Sequence, residues 1–260
     1  MGKRRSLAPF KTVWILVVCL GLSACVTVTN DRLAQNRDPK KAVAAYVEAG
    51  ILYIQRNQME NASRALTRAQ KINPDDPAVN NGLALFYSVE GDKEQTEKYF
   101  RKALSSNPEF SQARNNYAAF LFQQGRTEDA IEQLEQVTRD YHYDRRFTAF
   151  ENLGLCYLKT GDKDKAEKAF NRALKLNPDL TTSMLEMAQL SFDKGDNLSA
   201  LRYLGRYEKV AQPNPRQLWL GIQLQRVVGD KNKLASYELA LKNLFPGSPE
   251  YQAYKASKQP

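Results

Sequence analysis

The sequence predicts an all-α array of stacked helical hairpins, and three observations predict it. Small residues recur at one spacing: Gly50, Ala84 and Ala118 lie 34 residues apart, Gly154 follows after 36 and Ala188 after 34. Twelve residues beyond each of these stands Ala62, Thr96, Ala130, Ala166 or Ala200. Twelve further on, Pro74, Pro108 and Pro178 punctuate the chain, each preceded by asparagine, with His142 and Gln212 at the two remaining places. A fixed period of this length is the mark of an array in which each unit buries its apolar face only against its neighbours.

The first 25 residues stand outside that period. MGKRRSLAPFK is basic, TVWILVVCLGL is apolar and SAC is small, which is the order of a secretory signal. The apolar run falls short of the roughly 20 residues that cross a bilayer. It closes on Leu22-Ser23-Ala24-Cys25, which resembles the bacterial lipobox. That resemblance implies a diacylglyceryl group on the Cys25 thiol and cleavage before Cys25, so that 1–24 are removed. Val26 follows, where the resemblance associates aspartate with inner-membrane retention; this implies the periplasmic face of the outer membrane. Residues 25–42 read as the lipidated terminus and a polar tether.

The hairpins follow in order. Glycine suits the left-handed cap that ends a helix, and Gly91-Asp92, Gly161-Asp162 and Gly195-Asp196 fall midway through their units, with Gly125 in the third. Asn-Pro closes the second helix, because the residue before proline disfavours helical geometry. Asp76-Pro77 reads as an N-cap with proline at the first helical position. The small residues mark places where two helices cross too closely for a larger side chain. The 34-residue unit resembles the tetratricopeptide repeat (TPR), which implies a superhelix of about six helix–turn–helix repeats. They are expected at 43–76, 77–110, 111–146, 147–180, 181–214 and, more weakly, 215–248, with 249–260 as a tail. The third ends irregularly: RDYHYDRR replaces the Asn-Pro turn and adds two residues.

Such arrays bind rather than catalyse, through the concave face that the first helices line. The first repeat carries two apolar stripes on its first helix. Tyr46, Ala49, Gly50 and Tyr53 are expected against the partner helix; Val47, Ile51 and Ile54 lie on another side. A helix apolar on two sides needs cover on both. With Leu85 and Val89 at matching offsets in the second repeat, these residues form a candidate partner-binding groove for a helical or extended segment. Asn81, Asn115 and Asn116 read as polar residues of a solvated inner face.

The remaining chemistry is sparse. His142 is the single histidine and lacks ligand or catalytic partners at defined spacing. Cys156 reads as a small buried hydrophobe. No phosphate-binding loop, nucleophile elbow or zinc motif occurs, so no catalytic residue, metal, cofactor or small-molecule substrate is expected. Net charge is +9, but Lys3, Arg4, Arg5 and Lys11 lie in the removable leader, and elsewhere bases alternate with acids. No long single-sign face is expected, and nucleic acid is not an expected partner.

A lipobox, a short tether, about six repeats and the ending LKNLFPGSPEYQAY together resemble the PilF/PilW family of type IV pilus biogenesis proteins. The resemblance implies a pilotin, a non-enzymatic lipoprotein of the outer membrane. Such a protein binds the pilus secretin subunit and promotes its localisation and multimerisation. It also points to the early repeats as the client-binding part. The competing expectation is a TPR lipoprotein adaptor for another envelope assembly, such as outer-membrane protein insertion or peptidoglycan enzymes.

Overall fold

The computed structural model describes residues 38–258, all of whose regular elements are helices. Six hairpins follow one another: α1 (Pro39–Gln55) with α2 (Met59–Ile72), α3 (Pro77–Glu90) with α4 (Lys93–Ser106), and α5 (Ser111–Gln123) with α6 (Thr127–Arg139). Then come α7 (Arg146–Lys159) with α8 (Lys163–Leu176), α9 (Thr181–Asp193) with α10 (Asn197–Val210), and α11 (Pro215–Val228) with α12 (Lys231–Leu244). A last helix, α13 (Pro249–Ala256), follows them. The array is a TPR superhelix, as the period predicts.

Local chemistry explains each hairpin. In the second, fourth and fifth, the glycine and aspartate of the mid-repeat dipeptide divide the work. Gly91 (φ 80°) and Gly161 (φ 83°) take the left-handed geometry that ends the first helix. The aspartate then caps the second: Asp92 accepts from the backbone N–H of Gln95, and Asp162 from that of Lys165, both at 3.0 Å. Between repeats, Asn73, Asn107 and Asn177 accept a backbone N–H two residues on. The irregular third junction keeps that turn, because Asp140 accepts from His142 N–H at 3.0 Å.

The small positions behave as their spacing predicts. A Cβ on Gly50 would stand 2.7 Å from Leu66, and one on Gly154 would stand 2.6 Å from the Phe170 ring. Ala62, Ala84, Ala118, Ala130, Ala166, Ala188 and Ala200 are all fully buried. A continuous core extends from Ala84 to Leu224, with smaller clusters around Val43–Leu83 and Leu218–Tyr254.

Both ends differ from the expected boundaries. The first helix begins at Pro39, inside the stretch expected as tether, because Asp38-Pro39 repeats the cap-then-proline start of Asp76-Pro77. Residues 249–256, expected as tail, form α13, capped by Ser248 with Pro249 at its first position. Tyr254 is buried against α11, with its ring centroid 6.4 Å from that of Trp219. The helix covers the end of an array that would otherwise leave a packing face open.

One half-buried junction sets a pH dependence. Glu97 on α4 accepts from Tyr117 and Arg126 of the next repeat, both at 2.8 Å, and from Arg101 at 2.7 Å. Burial alone pushes the carboxyl up, but the bonds from Arg126, Tyr117 and Arg101 outweigh it and hold it at about 2. A depressed carboxyl contributes stability that is complete above its unfolded value and disappears as pH falls through the folded one. Stability from this group is therefore expected to decline from about pH 4.5 toward pH 2. Urea midpoints of Glu97→Gln should fall less steeply over that interval than those of the parent chain; parallel curves would assign the acid limb elsewhere.

Candidate functional site

The first helices α1, α3, α5, α7, α9 and α11 line the inner side of the superhelix. Polar bonds stitch them together. Asn116 donates to Asn81 at 3.1 Å and Asn152 to Asn115 at 3.2 Å, joining α3 to α5 and α5 to α7. Ser183 gives both its hydroxyl and its backbone N–H to Glu151, at 2.6 and 3.0 Å, joining α7 to α9. Arg216 grips the buried Glu186 with both terminal nitrogens, joining α9 to α11. This corrects the expectation for the asparagines. Asn81 and Asn115 are buried, not solvated, because each amide is spent on the neighbouring repeat.

An apolar concavity interrupts this polar face at the N-terminal end. A cavity of about 450 Å³ opens on α1, walled by Ala44, Val47, Ile51 and Leu52, with Glu48 and Gln55 at its edges and Ala78 of α3 behind. The amphipathic geometry of α1 creates it. Gly50 turns one stripe onto Leu66 of α2, and Val47 leans toward α3, where a Cβ on Gly82 would stand 3.9 Å from it. The helix is therefore covered on two sides at Val47, which is buried, whereas Ile51 is only half-buried against the N-terminal cluster. Leu52 keeps 41% of its surface exposed.

The five expected groove residues separate. Val47 and Ile51 line the cavity together. Ile54 packs on the N-terminal core cluster, Leu85 on the central one, and neither lines the cavity. Val89, near the end of α3, is 54% exposed and also stands apart from it. Ala44, Leu52 and Ala78 belong to the cavity and carry a sequence signal too weak to single out: two alanines and a leucine in an already apolar helix pair.

Elsewhere the inventory is structural. Cys156 is buried, and burial pushes its thiol up to about 12, far from a reactive thiolate. His142 sits on the wall of a shallow cavity of about 340 Å³ between two inter-repeat turns, beside Arg114, Arg139 and Asp140. Asp140 is occupied by the Ser111 hydroxyl, which holds its carboxyl below the usual range. Among the described residues, no group of three His, Cys, Asp or Glu side chains could hold a metal, and no helix is long and apolar enough to cross a membrane. Cys25 lies outside the described residues.

A stack of TPR hairpins with an apolar concavity defines a protein-interaction scaffold, the class of protein this chain is. Sequence profiles of the tetratricopeptide repeat match residues 38–76, 77–110 and 109–179. The type IV pilus assembly protein PilF of Pseudomonas aeruginosa is 34% identical over 245 residues, which span 94% of this chain and 97% of that protein. A solved structure of P. aeruginosa PilF superposes with a TM-score of 0.82 at 35% identity, covering 85% of this chain and all of the other. The crystal structure of PilW, described as a widely conserved type IV pilus biogenesis factor, shows the same fold, with a TM-score of 0.71 at 24% identity over 82% of this chain and 97% of its own. The chain belongs to the PilF/PilW family of type IV pilus biogenesis proteins.

Proposed function

We propose that this protein is a pilotin: its repeats bind the pilus secretin subunit, and a lipid on Cys25 holds the complex to the periplasmic face of the outer membrane. The observation that carries the reading is the apolar cavity at Val47 and Ile51. It sits in the first hairpin after the lipidation site, in a family whose members assemble type IV pili. Apolar walls with a few polar groups at the edge suit an amphipathic helix or an extended segment laid across α1. No reaction is needed. The array holds the client, and the anchor determines where it accumulates.

Two experiments test this reading. Deleting the gene should abolish heat-resistant secretin multimers and twitching motility; unchanged multimers would sink it. Ile51→Asp places a charge in the cavity wall, at a half-buried position on the edge of the N-terminal core cluster rather than inside it. It is expected to weaken capture of the secretin at least tenfold, because an unpaired carboxylate facing a docked apolar side chain costs about 1.4 kcal/mol or more. Helicity by circular dichroism should stay at the parent level. Normal capture by a well-folded Ile51→Asp protein would place the client elsewhere on the array.

A further inference from the structure

The mixture of acids and bases in the sequence suggests no single-sign face, but the repeat register of the structure reveals one. On α2, Arg64, Arg68 and Lys71 stand two, six and nine residues after the small residue Ala62. The same offsets give Lys98 and Lys102 on α4. They give Lys168, Arg172 and Lys175 on α8, and Arg202, Arg206 and Lys209 on α10. Across the first five repeats the single acid at these offsets is Glu132, on α6. Acids stand in the first turns of these helices, as Glu60, Glu94, Glu128 and Asp164 do, where they favour the helix dipole, and at other offsets further along, as Glu97, Glu135, Glu167 and Glu208 do. At these three offsets cations therefore predominate, and a basic ridge follows the second helices.

The ridge lies on the second helices, outside the first helices that line the concave side. Arg64, Arg68 and Lys71 are exposed and make no ion pair among the described residues. Lys102 and Arg206 occupy one register position and reach the last turn of the preceding repeat, donating to the carbonyls of Pro74 and Pro178 at 2.9 Å each. These bonds tie two ridge cations to the preceding repeat, where Lys102 also pairs with Asp75 at 3.1 Å. A second feature accompanies it. One residue beyond the last cation, Ile72, Leu176 and Val210 are exposed by 42%, 46% and 50%. Tyrosines stand beside several of these cations, Tyr46 under Arg68, Tyr99 under Lys98 and Tyr203 under Arg202 and Arg206, but each is half-buried against the array. Cations beside exposed aliphatic side chains match a lipid interface: phosphates for the first, the upper acyl region for the second. A nucleic acid would reward stacking aromatics instead.

We propose that the outer surface of the second helices is a docking face for an anionic phospholipid bilayer, engaged first through Arg64, Arg68 and Lys71. This rests on the membrane-anchored reading and deepens it. Twelve residues lie between Cys25 and the N-cap Asp38, so the first hairpin is the part of the array nearest the anchor in sequence. With its second helices on the headgroups, the array turns its concave face and the α1 cavity toward the periplasm, where a client arrives. The lipid sets the location and the ridge sets the orientation.

The test uses the full protein purified from membranes. It is offered two distinguishable vesicle populations at once: phosphatidylcholine alone, and phosphatidylcholine with one third phosphatidylglycerol. An acyl anchor contributes equally to both, so the distribution between them reports the ridge, whereas total binding to the neutral vesicles reports the anchor. The two readings therefore fail separately. At low salt the parent protein is expected to favour the anionic vesicles by about tenfold or more, since each cation at a surface contributes roughly a fivefold factor. High salt should erase the preference. R64E/R68E/K71E should abolish it while keeping the parent's helicity, because all three side chains are exposed. An even distribution of the parent protein would overturn the proposal, as would an undiminished preference in the triple variant. Displacement from anionic vesicles by a single-stranded oligonucleotide at equal phosphate concentration would also overturn it.

Discussion

Replacing Phe170 by alanine is expected to destabilise the array by about 3–5 kcal/mol, the range for deleting a fully buried aromatic ring. Phe170 has no exposed surface and sits on α8 against the α-carbon of Gly154 on α7. The close crossing of these two helices exists to admit the ring, and the crossing leaves no atoms free to refill the space. The cost should also be felt beyond the fourth repeat. Each TPR packs only on its neighbours, so stability is a sum of repeat and interface contributions, and a weak central unit divides the array. Urea unfolding followed by circular dichroism should show either a lower midpoint or two separate transitions; a midpoint within error of the parent would show that the ring is not holding α7 to α8. Coupling provides a finer check. Gly154→Ala would place a Cβ 2.6 Å from that ring, so it should cost the parent chain at least about 1 kcal/mol through overpacking and cost the Phe170→Ala chain less. Additive costs would mean that the two positions do not share the same space.

That pair also shows what was legible in the sequence and why. Gly154 stands in register with Gly50, Ala84, Ala118 and Ala188, and only close helix crossings demand small residues at one period. The glycine–aspartate dipeptides were legible for the same reason: each residue answers one backbone requirement, a positive φ and then a side-chain cap. The ends were less so. Pro39 and Pro249 start helices by a signal present in the sequence, yet lie outside the repeating unit that drew attention to the others. The asparagines show a different limit. Periodicity places Asn81 and Asn115 on first helices but does not reveal that Asn116 and Asn152 reach back to them, since partners 35 and 37 residues apart meet only once the superhelix is built. The groove was half legible. The stripe at Val47 and Ile51 follows from helical spacing, whereas extending it to Leu85 and Val89 assumed that matching offsets meet a common concavity. In the structure Leu85 is consumed by the core and Val89 faces solvent. The basic ridge was the least visible, because a linear reading mixes helix-start acids with mid-helix cations.

Cys25→Ala is expected to remove the protein from outer-membrane fractions and, with it, most heat-resistant secretin multimers. The argument is one of magnitudes. A buried methylene contributes about 0.8 kcal/mol, and a single myristoyl chain gives only marginal, reversible binding, so several chains on one cysteine produce a lasting anchor that the protein surface alone cannot match. The proposed ridge of cations acts over a Debye length of roughly 8 Å at physiological salt and orients a protein already held nearby. The two contributions therefore predict distinct defects. Losing Cys25 should deplete the outer membrane of both protein and multimers. Reversing Arg64, Arg68 and Lys71 should leave the protein in the outer membrane and lower multimer yield by misdirecting the α1 cavity. Fractionation followed by immunoblotting for this protein and for the secretin separates these outcomes. Retention of the Cys25→Ala protein in the outer membrane of a strain lacking the secretin would refute the lipid assignment; retention only where the secretin is present would instead show that client binding holds the protein there, and that the concave face can outlast the anchor.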